Sequence, residues 1–128
     1  MSKQLSKAPL GSNNRKDGTR DLRKTVSTKR VELPRISSYK KDFLDDWQRL
    51  HQSGRYDMGL LKEAIVLLIK NDGTLGAEWK DHALKGNWKG YRELHVGGDF
   101  LLIYQVVSHS KYEEVIFVRA GTHSELFN

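Results

Sequence analysis

A chain of 128 residues with 38% apolar side chains holds material for one modest core, and a second domain is not expected. It has no cysteine, which excludes disulfides and thiolate metal sites, and no apolar run long enough to span a membrane. The net charge of +6 suggests a polyanion partner, yet residues 1–30 carry nine Lys or Arg against two acids, and residues 31–128 carry thirteen cations against fourteen acids.

Residues 1–30 show no hydrophobic period and few large apolar groups, so the segment cannot bury enough surface to offset its ordering entropy. A disordered basic extension over 1–30 and a folded domain over 31–128 are expected. The extension also lacks the apolar stretch of a secretory signal, which points to a cytoplasmic protein. Clustered cations of this kind act as a solvated tail or as an arm on RNA, DNA or a protein.

The string RVELPRI (30–36) reads as a short strand with Val31 and Leu33 on one face, ended or placed at an edge by Pro34. In SSYKKDFLDDWQRLHQSG, Ser37 or Ser38 can cap a helix whose Tyr39, Phe43, Trp47 and Leu50 form one stripe, with Gly54 just past its end. Asp57 can cap a second, more apolar helix that Gly73 closes. Three strand-like runs follow, YRELHV, DFLLIYQVV and EEVIFVRAG, the first two separated by Gly97 and Gly98. The order β-α-α-β-β-β predicts an α+β domain: a two-helix hairpin packed on one face of a largely antiparallel sheet, with the other face open to ligands.

The chemistry-bearing residues collect late in the chain. His82 lies in a glycine-containing loop among Lys80, Lys85 and Lys89, where a solvated histidine is the ordinary outcome. Alternation puts His95 with Tyr91 and Glu93, away from Arg92, Leu94 and Val96. A strict two-residue loop at Gly97-Gly98 would pair Asp99 with Val96 and part it from His95, whereas a wider loop would not. Val115, Phe117 and Arg119 share a strand face by the same alternation. Thr122-His123-Ser124-Glu125 fits a capping box, which places His123 in a terminal helical turn whose free N–H groups would suit a phosphate.

RNA cleavage without metal needs a base for the 2′-hydroxyl, a cation for the phosphorane and an acid for the 5′-oxygen. Histidine, with an unperturbed pKa of about 6.5, serves as acid or base near neutrality, and arginine matches phosphate oxygens. His82, His95, His123 and Arg119 would supply all three roles. Zinc ligation by the histidines and Asp99 is the rival chemistry, but the spacing matches no recognised ligand pattern; neither metal nor other cofactor is expected.

The strings KDH-x-L-x-G-x-WKG-YR-x-x-H, D-[aromatic]-x-L-I-Y and R-x-GTH-x-x-LF resemble YafQ-type toxins of the RelE/ParE superfamily over Trp79 to Phe127. The resemblance implies a ribosome-dependent endoribonuclease that cuts mRNA in the decoding site. It implies as partners the 70S ribosome, mRNA and a cognate antitoxin, and operator DNA only when bound to that antitoxin. It places the family's catalytic groups on His82, His95, Asp99, Arg119 and His123, and RNA contacts on Lys80, Lys85, Lys89, Arg92 and the terminal aromatic Phe127. Phe100 stands where tryptophan also occurs, which removes an indole donor. Which histidine is acid and which is base is left open, with His123 favoured as acid. The alternative is a non-catalytic, ParE-like inhibitor of a protein target such as DNA gyrase, for which three titratable rings have no special use.

Overall fold

The computed structural model describes residues 33–72 and 75–127. The basic segment 1–30, the expected strand start at Val31 and the helix stop at Gly73 lie outside them. In chain order the elements are β1 (Ile36–Tyr39), α1 (Lys41–Ser53), α2 (Met58–Lys70), a 3₁₀ turn (Ala77–Trp79), β2 (His82–Ala83), a second 3₁₀ turn (Gly86–Trp88), β3 (Arg92–Gly97), β4 (Phe100–Ser108), β5 (Glu113–Thr122) and α3 (His123–Phe127). The sheet order is β1-β5-β4-β3-β2. β1 runs parallel to β5 and every other pairing is antiparallel. The expected β-α-α-β-β-β order is present, with the two-residue β2 and the terminal α3 added to it.

The first strand begins later than its residues suggest. Pro34 precedes β1 instead of ending it, and Ser37 and Ser38 pair with Val115 and Ile116. A backbone committed to that ladder cannot also cap a helix, so Lys40 stands at the start of α1 without a side-chain cap. Tyr39 is strand, not helix, and still joins the aromatic core by stacking on Phe117 at 5.3 Å. The other helix ends follow local chemistry. Gly54 closes α1 in the left-handed region at φ 70°, and the Asp57 carboxylate accepts the Leu60 amide at 3.0 Å to start α2. Asn71, at φ 57°, closes α2 ahead of Gly73 and donates from its side-chain amide to the Leu33 carbonyl at 3.0 Å.

Phe43 and Leu50 of α1 and Leu61, Ala64, Ile65 and Leu68 of α2 cover one sheet face, meeting Leu94, Leu102, Tyr104, Val115, Phe117 and Ala120. The opposite face carries a smaller cluster of Leu101, Ile103 and Leu126, flanked by Leu84, Trp88, Tyr91, Val118 and Phe127. It is therefore partly closed by α3 and the β2–β3 loop, not left open as the strand pattern alone suggested.

Two irregularities set which side chains face which way. The β3–β4 register shifts between His95 and Gly97, and the β4–β5 register shifts between Ile103 and Tyr104, where Val118 is the extra residue. Arg119 consequently pairs with Ile103 while Phe117 pairs with Tyr104, so Arg119 does not share the face of Val115 and Phe117 as simple alternation predicted. Phe117 is fully buried and rings with Tyr39 and Phe43 surround it. Phe117→Ala should cost about 3–5 kcal/mol in a urea unfolding titration, the usual range for emptying a buried phenylalanine site.

Candidate active site

His82 is placed by its neighbour. The Asp81 carboxylate accepts the Tyr104 hydroxyl at 2.6 Å and the Arg92 fork at 3.3 and 3.4 Å, so the loop is pinned to the sheet one residue before β2. Burial first, and the bond to Asp81 second, push the Tyr104 hydroxyl well above its ordinary pKa and keep it a donor. Arg92, expected among RNA contacts, lies on the side of the sheet away from His95 and is engaged with Asp81. Lys80, Lys85 and Lys89 are exposed along the loop.

Across the ladder His82 pairs with Glu93, whose side chain is buried on the same face. His82 Nδ1 donates to the Lys80 carbonyl at 2.8 Å, and its Nε2 lies 3.1 Å from Glu93 Oε1. Lys80 holds a left-handed backbone at φ 50° there. Among the described residues Glu93 Oε2 has no partner. Sequence reasoning placed Glu93 on the histidine face but gave it no role. A carboxylate in a strand with ordinary alternation carries no signal of burial beside an imidazole.

His95 sits 6.3 Å from His82, ring to ring. Its Nδ1 donates to the Gly98 carbonyl at 3.3 Å, which leaves Nε2 as the acceptor of a neutral ring. The turn is one residue later than the glycine pair suggested. Gly97 still pairs with Phe100, Gly98 takes φ 54°, and Gly98 and Asp99 form the tip. The conflict between Asp99 and His95 therefore does not arise.

The same end of the sheet receives α3. His95 pairs with Leu101, and Leu101 with Gly121, so backbone positions of His95 and Gly121 are two strand spacings apart, about 10 Å. His123 follows two residues on, and its N–H donates to Asp99 Oδ1 at 3.1 Å. The capping box forms: the Thr122 N–H donates to Glu125 Oε1 at 2.8 Å, and the Glu125 N–H donates to Thr122 Oγ1 at 3.3 Å. The amides of Thr122 and His123 are thus occupied by carboxylates, which corrects the expectation that they await a phosphate. Phe127 packs on the His123 ring at 4.9 Å and meets Trp88 edge-on at 5.7 Å. Phe100, in contrast, is buried on the helix side against Tyr56.

Arg119 has its backbone on the histidine face, but its side chain folds to α1. Its Nε and Nη2 donate to Asp46 at 2.7 and 3.1 Å. Asp46 is buried, a residue to which the sequence pattern gave no role. Burial pushes its carboxyl up, but bonds from Arg119, the Ala120 amide and Arg49 outweigh that and hold it below the usual carboxylate range. Arg49 continues the chain to Glu125 at 2.8 Å. Among the described residues no group of three His, Asp or Glu is arranged to hold a metal ion, and no helix is long and apolar enough to cross a membrane. A groove of about 420 Å³ on the helix hairpin, lined by Tyr39, Phe43, Leu44, Trp47, Lys62, Ile65 and Val66, contains none of these groups.

Residues 35–128 match the family described as "Bacterial toxin of type II toxin-antitoxin system, YafQ". The mRNA interferase toxin YafQ of Escherichia coli strain B / BL21-DE3 is 40% identical over 95 residues, 74% of this chain and 98% of that protein. The chain belongs to the YafQ family. The K12 strain's mRNA interferase toxin YafQ is 44% identical over 79 residues, 62% of this chain and 82% of its own length. The toxin fold extends to the E. coli DinJ-YafQ complex, matched with TM-score 0.62 and 41% identity over 73% of this chain and 99% of that one.

In this YafQ-family chain the depressed Asp46 carboxyl is a stability element with a defined sign. Its contribution is complete above the unfolded-state pKa of about 3.9 and is lost as pH falls through the lower folded-state value. Unfolding free energies of wild type and Asp46→Asn should differ by a constant amount above roughly pH 5 and converge below about pH 4. Denaturant titrations across that range measure the gap.

Proposed function

We propose that this chain is an endoribonuclease toxin that cuts mRNA on the ribosome without a metal ion, with its chemistry at the end of the sheet where the β3–β4 turn meets α3. The observation that supports this most is the bond from the His123 amide to Asp99, which joins α3 to the hairpin that carries His95. His95 Nε2, which none of the described residues engages, takes the proton of the 2′-hydroxyl. The 2′-oxygen then attacks phosphorus, and the phosphorane charge falls to Arg119, which keeps Nη1 clear of Asp46. His123, as acid, protonates the departing 5′-oxygen, leaving a 2′,3′-cyclic phosphate and a 5′-hydroxyl.

The remaining residues support that exchange. His82, with both ring nitrogens engaged, acts beside His95 as an electrostatic neighbour and not as a proton carrier. Asp99 fixes α3, and Arg92 fixes the His82 loop through Asp81. Phe127, supported by Trp88, offers a ring for base stacking, and Lys80, Lys85 and Lys89 offer phosphate contacts. A cognate antitoxin neutralises the toxin, and operator DNA is bound only by the pair. Residues 1–30 act as a basic arm on ribosomal RNA or on the antitoxin, in the cytoplasm where these partners are. A ParE-like inhibitor of DNA gyrase gains nothing from an imidazole whose Nε2 no described residue engages, on a hairpin that Asp99 ties to the backbone amide of a second histidine.

Translating ribosomes incubated with purified protein, followed by mapping of message ends, test the reading. His95→Ala and His123→Ala should each slow cleavage by about 10²–10⁴-fold, the usual worth of a positioned acid or base. Intact message with wild type refutes the function, and cleavage that survives both substitutions refutes the site. Deleting residues 1–30 should weaken ribosome association and flatten its dependence on salt, because fewer counterions are released.

A further inference from the structure

Asp46 occupies an unfavourable place for a carboxylate. It lies on the core-facing side of α1, one turn from Phe43 and Leu50, and is 4% exposed. Such a group is tolerated only when charged partners satisfy it. Here four donors do so: Arg119 Nε at 2.7 Å, Arg119 Nη2 at 3.1 Å, the Ala120 N–H at 3.0 Å and Arg49 Nη2 at 3.1 Å.

The sheet explains why the carboxylate is there. Among the described residues β1 pairs with β5 only as far as Phe117, so on the edge away from β4 the Ala120 amide meets no strand. Asp46 supplies that acceptor, and its second oxygen completes a two-bond fork with Arg119. A fork of this type fixes the plane of a guanidinium, not merely its distance. Two of the five donor hydrogens of Arg119 point to Asp46, and among the described residues both on Nη1 are left for another acceptor. The same turn of α1 also reaches α3, through Arg49 Nη1 and Glu125 Oε2 at 2.8 Å.

We propose that Asp46 is a positioning residue for RNA cleavage, acting through Arg119 to hold the guanidinium where Nη1 meets the scissile phosphate. The proposal rests on the phosphate role given to Arg119 above. Asp46 is not placed in contact with message or reacting atoms, and among the described residues it reaches the chemistry through Arg119, the Ala120 amide of β5 and the Arg49–Glu125 tie to α3.

A double-substitution cycle on ribosome-bound message tests it, using full-length protein and Asp46→Asn, Arg119→Ala and the combination. Asparagine keeps the side-chain shape and an acceptor for the Ala120 amide but loses the charge. Asp46→Asn should lower kcat by about 10- to 100-fold, the scale seen when a partner that orients a functional group is removed. KM for the ribosome–message complex should stay within about twofold, since the interaction matters in the transition state and not in binding. In the Arg119→Ala background Asp46→Asn should cost nothing further.

An equal loss in both backgrounds overturns the proposal, because a purely structural role would weaken the enzyme whether or not Arg119 is present. Unchanged or faster cleavage by Asp46→Asn also overturns it. If Arg119→Ala cleaves normally, the proposal falls together with the role of Arg119, while intact message with wild type marks the separate failure of the ribonuclease reading. Should Asp46→Asn fail to fold by circular dichroism, the cycle is read on Asp46→Glu, which retains charge and displaces the fork by one methylene. The same loss confined to the Arg119-containing background is then expected, and its absence refutes the proposal.

Discussion

One extra residue in β5 decides the geometry of everything that follows it. With side chains alternating strictly, Arg119 would share a face with Val115 and Phe117 and point under the helices. Insertion of Val118 opposite the Ile103–Tyr104 step reverses the parity, so Val115 and Phe117 stay in the main core while Arg119 leaves the strand on the histidine side before its side chain folds to Asp46 of α1. Val118 itself packs in the smaller cluster with Leu101, Ile103 and Leu126. The strand then delivers Gly121, Thr122 and α3 to the end where the β3–β4 turn lies. A second shift, beside Val96, lets Gly98 and Asp99 form the turn tip and brings Asp99 to the His123 amide.

The outer edge of β5 is the other constraint. A sheet edge left without a partner strand exposes amides, and a helix or side chain must take them. Here α1 does so with a carboxylate, and the buried charge that results recruits two arginines. One of these, Arg119, belongs to the proposed site, and the other, Arg49, bonds Glu125 of α3. A packing requirement at a strand edge is thereby converted into a rigid frame for a cation and a helix end.

The three histidines, equal in sequence, are distinguished by what their nitrogens touch. His82 has both engaged, by the Lys80 carbonyl and Glu93. His95 has one engaged, by the Gly98 carbonyl. His123 bonds Asp99 through its backbone amide and packs its ring on Phe127. These differences arise from loop carbonyls and one cross-strand neighbour, and in the proposed reaction they divide the proton-transfer work among rings of the same type.

The sequence by itself determined the element types, the two-helix cover, the antiparallel order of the last three strands, the capping box at Thr122 and the group of residues around which the proposed site is built. Those follow from hydrophobic period, glycine and cap chemistry, and a long specific motif, all of which act over a few residues. Only the tertiary structure decided that Ser37 and Ser38 belong to a strand, since their partners in β5 are more than seventy residues away. The same holds for the parity of Arg119, the burial of Asp46 and Glu93, and the commitment of Arg92 to Asp81. Each depends on which distant backbone group or charge lies opposite, and a strand bulge or a buried carboxylate leaves no periodic trace in the chain that carries it.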